Sequence, residues 1–281
     1  MREFLDINEP PEFEHSSHTY YVRKKSNIYT SATQIVGHFC NEFDTEERAQ
    51  YMTYRYGQTP EYWRAQWKDI NHTSLHRGDK KHQAEEDFLY GRGYSGVNGK
   101  IFPVNNYSLY KVPEVVDFQY KGYKSPSCTS RQIPAPYHLL PDGTYPELMF
   151  WRHDYKIAGR ADKPTFETIG DNRYLHIEDY KTNARIRKES HYTGKYPNGT
   201  YQMMLGPLQH LMDCEWYHYA LQLSLYQFMG EYFGFKPGVR RIIHFPHEIE
   251  GLGTPDPIPY ELPYLRDEVI AMLEHLNLNR A

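Results

Sequence analysis

Along this chain apolar residues alternate with polar ones in some stretches and recur every three to four residues in others, and the two periods separate strands from helices. Residues 18–30, "HTYYVRKKSNIYT", alternate on both sides of a polar turn and predict a hairpin, after which "TSATQIVGHF" opens a helix capped by Thr30 or Ser31. Helical spacing continues through 44–56 and 59–90, with Pro60 suited to a first turn and Gly91 and Gly93 ending the second helix. From 91 to 146 the pattern dissolves into Gly, Pro, Asn and Tyr, with room for one short helix near 113–120. Alternation returns in "ELMFWRHDYKIAGRADKPTFETIGDNRYLHIEDYKT", which predicts three strands joined by turns at "HD" and "IGDN", an antiparallel meander. Residues 203–234 predict a long amphipathic helical region interrupted at Gly206-Pro207, "VRRIIHF" a final strand, and "PYLRDEVIAMLEHLN" a final helix. No internal repeat is present. This order predicts a mixed α/β fold with helices packed around one central sheet.

One strand carries charge where a core strand carries apolar side chains. In "YLHIEDYKTN" the period of two places Leu175, Ile177, Asp179 and Lys181 on one face. The preceding strand, "YKIAGRAD", ends on Asp162 with Ala158 and Arg160 on the same face, so two carboxylates from adjacent strands can bracket one divalent cation with a lysine beside it. That set suits phosphodiester hydrolysis, in which the metal polarises phosphate and water and the lysine orients water or offsets developing charge. The plainer readings are an edge strand with a solvated ion pair and an Asp162 that caps the turn at "ADKPT". Glu147 either adds a carboxylate or caps the meander. His72 and His76, one turn apart, read as a solvated helix face.

Composition changes this picture only locally. The chain has 281 residues, a net charge of −4, 27 Tyr and 15 His, so no general basic field advertises a nucleic acid. Lys and Arg instead cluster in "VRKKSN", in 120–132, and in "KTNARIRK" directly after the charged strand. Cys40, Cys128 and Cys214 lie too far apart for a disulfide framework, a zinc knuckle or a four-cysteine iron–sulfur cluster. The acidic N-terminal stretch lacks an apolar signal core and no apolar run approaches a membrane span, so a soluble intracellular protein is expected.

The ordered set "RGDKKHQAEE", "AGRAD", "IEDYKT" and "ALQLSLYQF" resembles the PD-(D/E)XK nuclease superfamily, and within it the RecB-like exonucleases. Gly78 and His82 match the Gly-xxx-His helix, Gly159 and Asp162 the Gly-xx-Asp strand, Asp179 and Lys181 the Asp-x-Lys strand, Gln222 and Tyr226 the Gln-xxx-Tyr helix. Outside about 91–140 the chain is similar to phage-encoded and mitochondrial genome-maintenance exonucleases. Two departures are that Ala161 replaces the superfamily's proline and that the third acid is Asp.

The resemblance implies a restriction-endonuclease-like core: a single nuclease domain over 1–281, with an N-terminal hairpin and helices at 1–70, a catalytic core at 71–250 carrying an insertion at 91–146, and a C-terminal helix at 251–281. It implies Lys181 as the catalytic lysine, with His82, Asp162, Asp179 and the Tyr180 carbonyl holding Mg²⁺ or Mn²⁺, and no iron–sulfur cluster. Either Glu85 or Glu86, both on the His82 face, would support that ligand. Gln222, Tyr226, Arg160, Arg185 and Arg187 would contact DNA. Helices ahead of the core, with Trp63 or Trp67 stacking on bases, would arch over threaded single-stranded DNA. The function so implied is a metal-dependent DNA exonuclease working from a free single-stranded end in phage-like replication, recombination or processing. It would have replication or recombination proteins as partners, no membrane, and a cytoplasmic location, the host's cytoplasm if phage-encoded. The alternatives are a nuclease-fold component that binds DNA or protein without cutting, and a metal-dependent hydrolase of another phosphoester.

Overall fold

Ser31 ends the first hairpin and starts the first helix by reciprocal capping: its hydroxyl accepts the Gln34 N–H at 3.2 Å while the Gln34 side chain accepts the Ser31 N–H at 3.0 Å. The computed structural model describes residues 10–14, 19–22, 27–92, 94–97, 100–104, 137, 140–193, 199–247 and 255–276. Their strands are β1 (Glu12–Glu14), β2 (Thr19–Val22), β3 (Asn27–Ser31), β4 (Tyr94–Val97), β5 (Lys100–Pro103), β6 (Gly143–Thr144), β7 (Leu148–Arg152), β8 (Ile157–Ala161), β9 (Lys163–Ile169), β10 (Asn172–Lys181), β11 (Tyr192–Thr193), β12 (Thr200–Tyr201), β13 (Lys236–His244) and β14 (Ile258–Glu261). The helices are α1 (Ala32–Gly37), α2 (Thr45–Tyr56), α3 (Pro60–Arg92), α4 (Glu215–Tyr232) and α5 (Arg266–His275). The fold is α/β with mixed sheets. None of these helices is long and apolar enough to cross a membrane.

Ten of the strands form two five-stranded sheets, ordered β1-β2-β3-β8-β7 and β14-β13-β10-β9-β6, rather than one central sheet, and β4–β5 and β11–β12 pair as separate two-stranded ribbons. The division falls at Asp162, where the expected second strand of the meander breaks into β8 and β9, giving four strands in place of three. The cause is local. Glu178 still pairs with Lys163 in the β9–β10 ladder, but two residues on, the Tyr180 N–H donates to the Asp162 side chain at 2.8 Å. A side-chain acceptor stands where the ladder would continue. Parallel pairs, β3 with β8 and β10 with β13, make both sheets mixed.

Three other expectations change. The long helix starts at Glu215, because Gly206 takes a positive φ of 59° before Pro207 and only a short 3-10 turn forms at Gly206–Leu208. Helix α4 is not striped: Leu223 through Gly230 are all buried, since it packs on β7, β8, β10 and β13 and also on α1 and α5. Strand β13 is not final. β14 pairs with it antiparallel at the sheet's edge, where Pro259 is tolerated. The irregular 91–146 stretch contains the β4–β5 hairpin, beside β6. The short helix expected near 113–120 lies outside the described residues.

Aromatic packing joins the two sheets to the end of α4. Phe166 stacks on Phe235 with centroids 4.4 Å apart, and Phe233 packs between Tyr137 and Trp151.

Candidate metal centre

Helix α3, 33 residues and so roughly 50 Å long, brings its C-terminal part to the end of β10. Gly78 faces Thr182 there, and a Cβ on it would lie 3.6 Å from the Thr182 hydroxyl. One turn on, His82 sets Nε2 3.0 Å from the Tyr180 carbonyl and Nδ1 3.4 Å from Asp162 Oδ2. The Tyr180 peptide therefore touches both: its N–H donates to Asp162 and its carbonyl faces His82.

Glu147 completes the group. Its backbone takes a positive φ of 56°, unusual for a non-glycine residue, and its N–H donates to the Asp162 carbonyl at 3.0 Å. Donor atoms of His82, Glu147 and Asp162 all lie within 4.8 Å of one another, so one imidazole and two carboxylates can hold a cation here. Asp179, expected as a ligand, pairs with Lys181 on the shared face that alternation predicts, and its charge acts on Asp162 and Glu147. Only 1% of Asp179 is exposed.

The electrostatics are those of crowded carboxylates. Burial, then Asp179 and Glu147, holds the Asp162 carboxyl well above its usual range, with Lys181 opposing. Burial pushes Glu147 up to about 7, helped by Glu86 and Asp179 and opposed by Arg160. Burial works against the Lys181 charge, yet Asp179 and Asp162 outweigh it and raise its pKa. Glu85 pairs with Lys81 at 2.7 Å, while Glu86 acts electrostatically on Glu147.

Helix α4 closes one side. Gln222 Nε2 donates to the Tyr226 hydroxyl at 3.1 Å, and burial followed by the Asp179 charge keeps that phenol from ionising. Tyr219, which fits a core stripe in the sequence, has its ring centroid 4.8 Å from Lys181 Nζ, a cation–π contact, and donates to Asn183 Oδ1 at 2.7 Å. Its position three residues before Gln222 is the signal that marks it.

The arginines divide. Arg160 lies 3.5 Å from Glu147, and Arg187 forms a two-pronged pair with Glu215 at 2.8–2.9 Å. Arg185 is exposed, with no ion pair among the described residues. Trp67 packs edge-on against Phe43, just ahead of α2, and Trp63 against Tyr56 of α2 and against Tyr62; both tryptophans are half-buried, while Tyr54 is 92% exposed. His72 and His76 are exposed on α3.

The glycine before Asp162 has a packing reason. A Cβ on Gly159 would sit 2.5 Å from Tyr226 Cε1. Gly159→Ala is therefore expected to displace the Tyr226 ring and to cost about 1–3 kcal/mol. Gly78→Ala has room and should instead stabilise α3 by up to about 1 kcal/mol. Thermal melts of the two variants check this, and equal shifts would refute the packing argument.

No protein-family model matches the chain, and no curated protein matches it.

Proposed function

We propose that the protein is a Mg²⁺- or Mn²⁺-dependent deoxyribonuclease with a PD-(D/E)XK-type core, acting as an exonuclease. One convergence supports this reading: His82 from α3, Asp162 from the β8–β9 bend, and Asp179 with Lys181 from β10, with Glu147 added from the turn before β7. The donor set fits the ion. Two carboxylates and an imidazole suit a borderline-to-hard divalent cation, and a cation would relieve the crowding at Asp162 and Glu147.

His82, Glu147 and Asp162 would hold the ion, which when bound polarises a phosphate oxygen and acidifies water. The other residues act around it. Lys181, kept cationic by Asp179 and Asp162, presents its ammonium where negative charge develops on the scissile phosphate. The Tyr180 peptide sets the relative positions of His82 and Asp162. Gln222 and Tyr226, bonded to each other, line the side of the site from which substrate is positioned. The exposed Arg185 and Lys188 beyond β10 suit backbone phosphates.

Digestion of end-labelled linear and closed circular DNA, with and without Mg²⁺, tests the reading. Linear single-stranded DNA is expected to be degraded only with metal, circular single strands to be spared, and an end blocked by a bulky protein to stall digestion. Cutting of linear and circular single strands at comparable rates would replace threading with an open groove and an endonuclease. No cutting of any substrate would leave a binding protein.

A further inference from the structure

A second cluster lies where the turn after α1 meets the segment entering α4. Cys40 Sγ is 3.4 Å from His218 Nε2, and the same nitrogen is 2.5 Å from Asp213 Oδ1. The three donor atoms fall within 4.8 Å of one another. Asn41 fixes the carboxylate: its backbone N–H and its side-chain amide donate to Asp213 Oδ2 at 2.7 and 2.6 Å, leaving Oδ1 turned toward the imidazole. Such outer support is what orients a ligating carboxylate.

A cysteine, a histidine and an aspartate together also suggest a nucleophilic triad, and the geometry rules against it. A relay needs one imidazole nitrogen on the acid and the other on the thiol. Here Nε2 serves both, so the acid competes with the thiol for one nitrogen. The thiol is also disfavoured as a nucleophile, pushed up to about 12 by burial and by Asp213.

We propose that Cys40, Asp213 and His218 bind a zinc-class divalent ion, with water as the fourth ligand, clipping the end of α1 to the start of α4. Thiolate, imidazole and carboxylate converging on one point is a borderline-soft donor set, unlike the oxygen-rich group at Asp162. Binding exchanges the Cys40 thiol proton for the ion. His218 lies one turn before Gln222 on α4, so the clip fixes the helix that carries Gln222 and Tyr226. The inference stands apart from the nuclease reading, since its ligands and its readout are separate.

The test is Co²⁺ titration of the metal-stripped full-length protein in excess Mg²⁺, followed by Zn²⁺ competition. One equivalent of Co²⁺ is expected to give a thiolate-to-cobalt charge-transfer band in the near ultraviolet, which stoichiometric Zn²⁺ abolishes. Cys40→Ser should remove the band, while a Cys128→Ser/Cys214→Ser double variant and Asp162→Asn should keep it. His218→Ala should weaken Zn²⁺ binding by at least about 100-fold, more than the loss of a supporting residue. The proposal is overturned if the wild-type protein gives no band at stoichiometric Co²⁺, or if the band survives in folded Cys40→Ser.

Discussion

Asp162→Asn should abolish metal-dependent cleavage and, in the same molecule, make the metal-free protein more stable at neutral pH. The two effects have one cause. Burial and the charges of Asp179 and Glu147 hold the Asp162 carboxyl above its ordinary range, so the folded state binds this proton more tightly than the unfolded chain does. A carboxyl raised on folding favours the folded state at low pH, and that contribution is lost as pH rises from the ordinary carboxylate pKa through the raised one. Asparagine carries no charge to repel, and its side-chain oxygen can still accept the Tyr180 N–H that Asp162 accepts at 2.8 Å. The gain should therefore appear only above the ordinary carboxylate range and grow with pH, reaching roughly 1 kcal/mol or more, or a few degrees in Tm.

Saturating Mn²⁺ should reverse the order. An ion bound only by the folded wild type adds about 2.7 kcal/mol at 100 times its Kd, whereas the asparagine variant lacks one of the two carboxylate ligands and gains little. Melting curves from pH 5 to 8, with and without Mn²⁺, read both halves. An Asp162→Asn protein less stable than the parent at pH 8 without metal would show that the carboxylate is structural and the crowding argument mistaken.

The parts of this centre that were legible in the sequence are those set by a local period. Asp179 and Lys181 share a face because strand side chains alternate, and His82 sits one turn from Gly78 because helices repeat, so both relations survive folding unchanged. What depends on distant backbone was not legible. The bend at Asp162 exists because a Tyr180 N–H, 18 residues away, reaches its carboxylate. Glu147, which the sequence left between a further carboxylate and a cap of the meander, joins the group through a positive φ that no spacing announces. The thiol of Cys40 meets His218 across 178 residues, which a search for paired cysteines cannot detect. The start of α4 was blurred for another reason: Met204, Leu208 and Leu211 are buried although they precede the helix, so apolar spacing runs on through irregular backbone. Prolines at 257, 259 and 263 concealed the edge strand β14.

Lys181→Ala should lower the cleavage rate by about 100-fold or more while leaving metal affinity and DNA binding close to the parent. Its ammonium is not among the metal's candidate donors, but it stands beside Asp179 and against the Tyr219 ring, at the end of the strand that carries the site. A group that acts on charge developing in the transition state is seen in kcat and little in KM. A structural role predicts a different pattern, and the ion pair makes that role real. Asp179 is 1% exposed, and removing the partner of a buried charge costs roughly 3–5 kcal/mol. The variant should accordingly melt lower at neutral pH. The double variant Asp179→Asn/Lys181→Met separates the roles, since it removes both charges and should regain most of the lost stability without regaining any cleavage. Recovery of cleavage together with stability would assign Lys181 to folding alone, and a Lys181→Ala enzyme cutting at the parental rate would remove it from the chemistry.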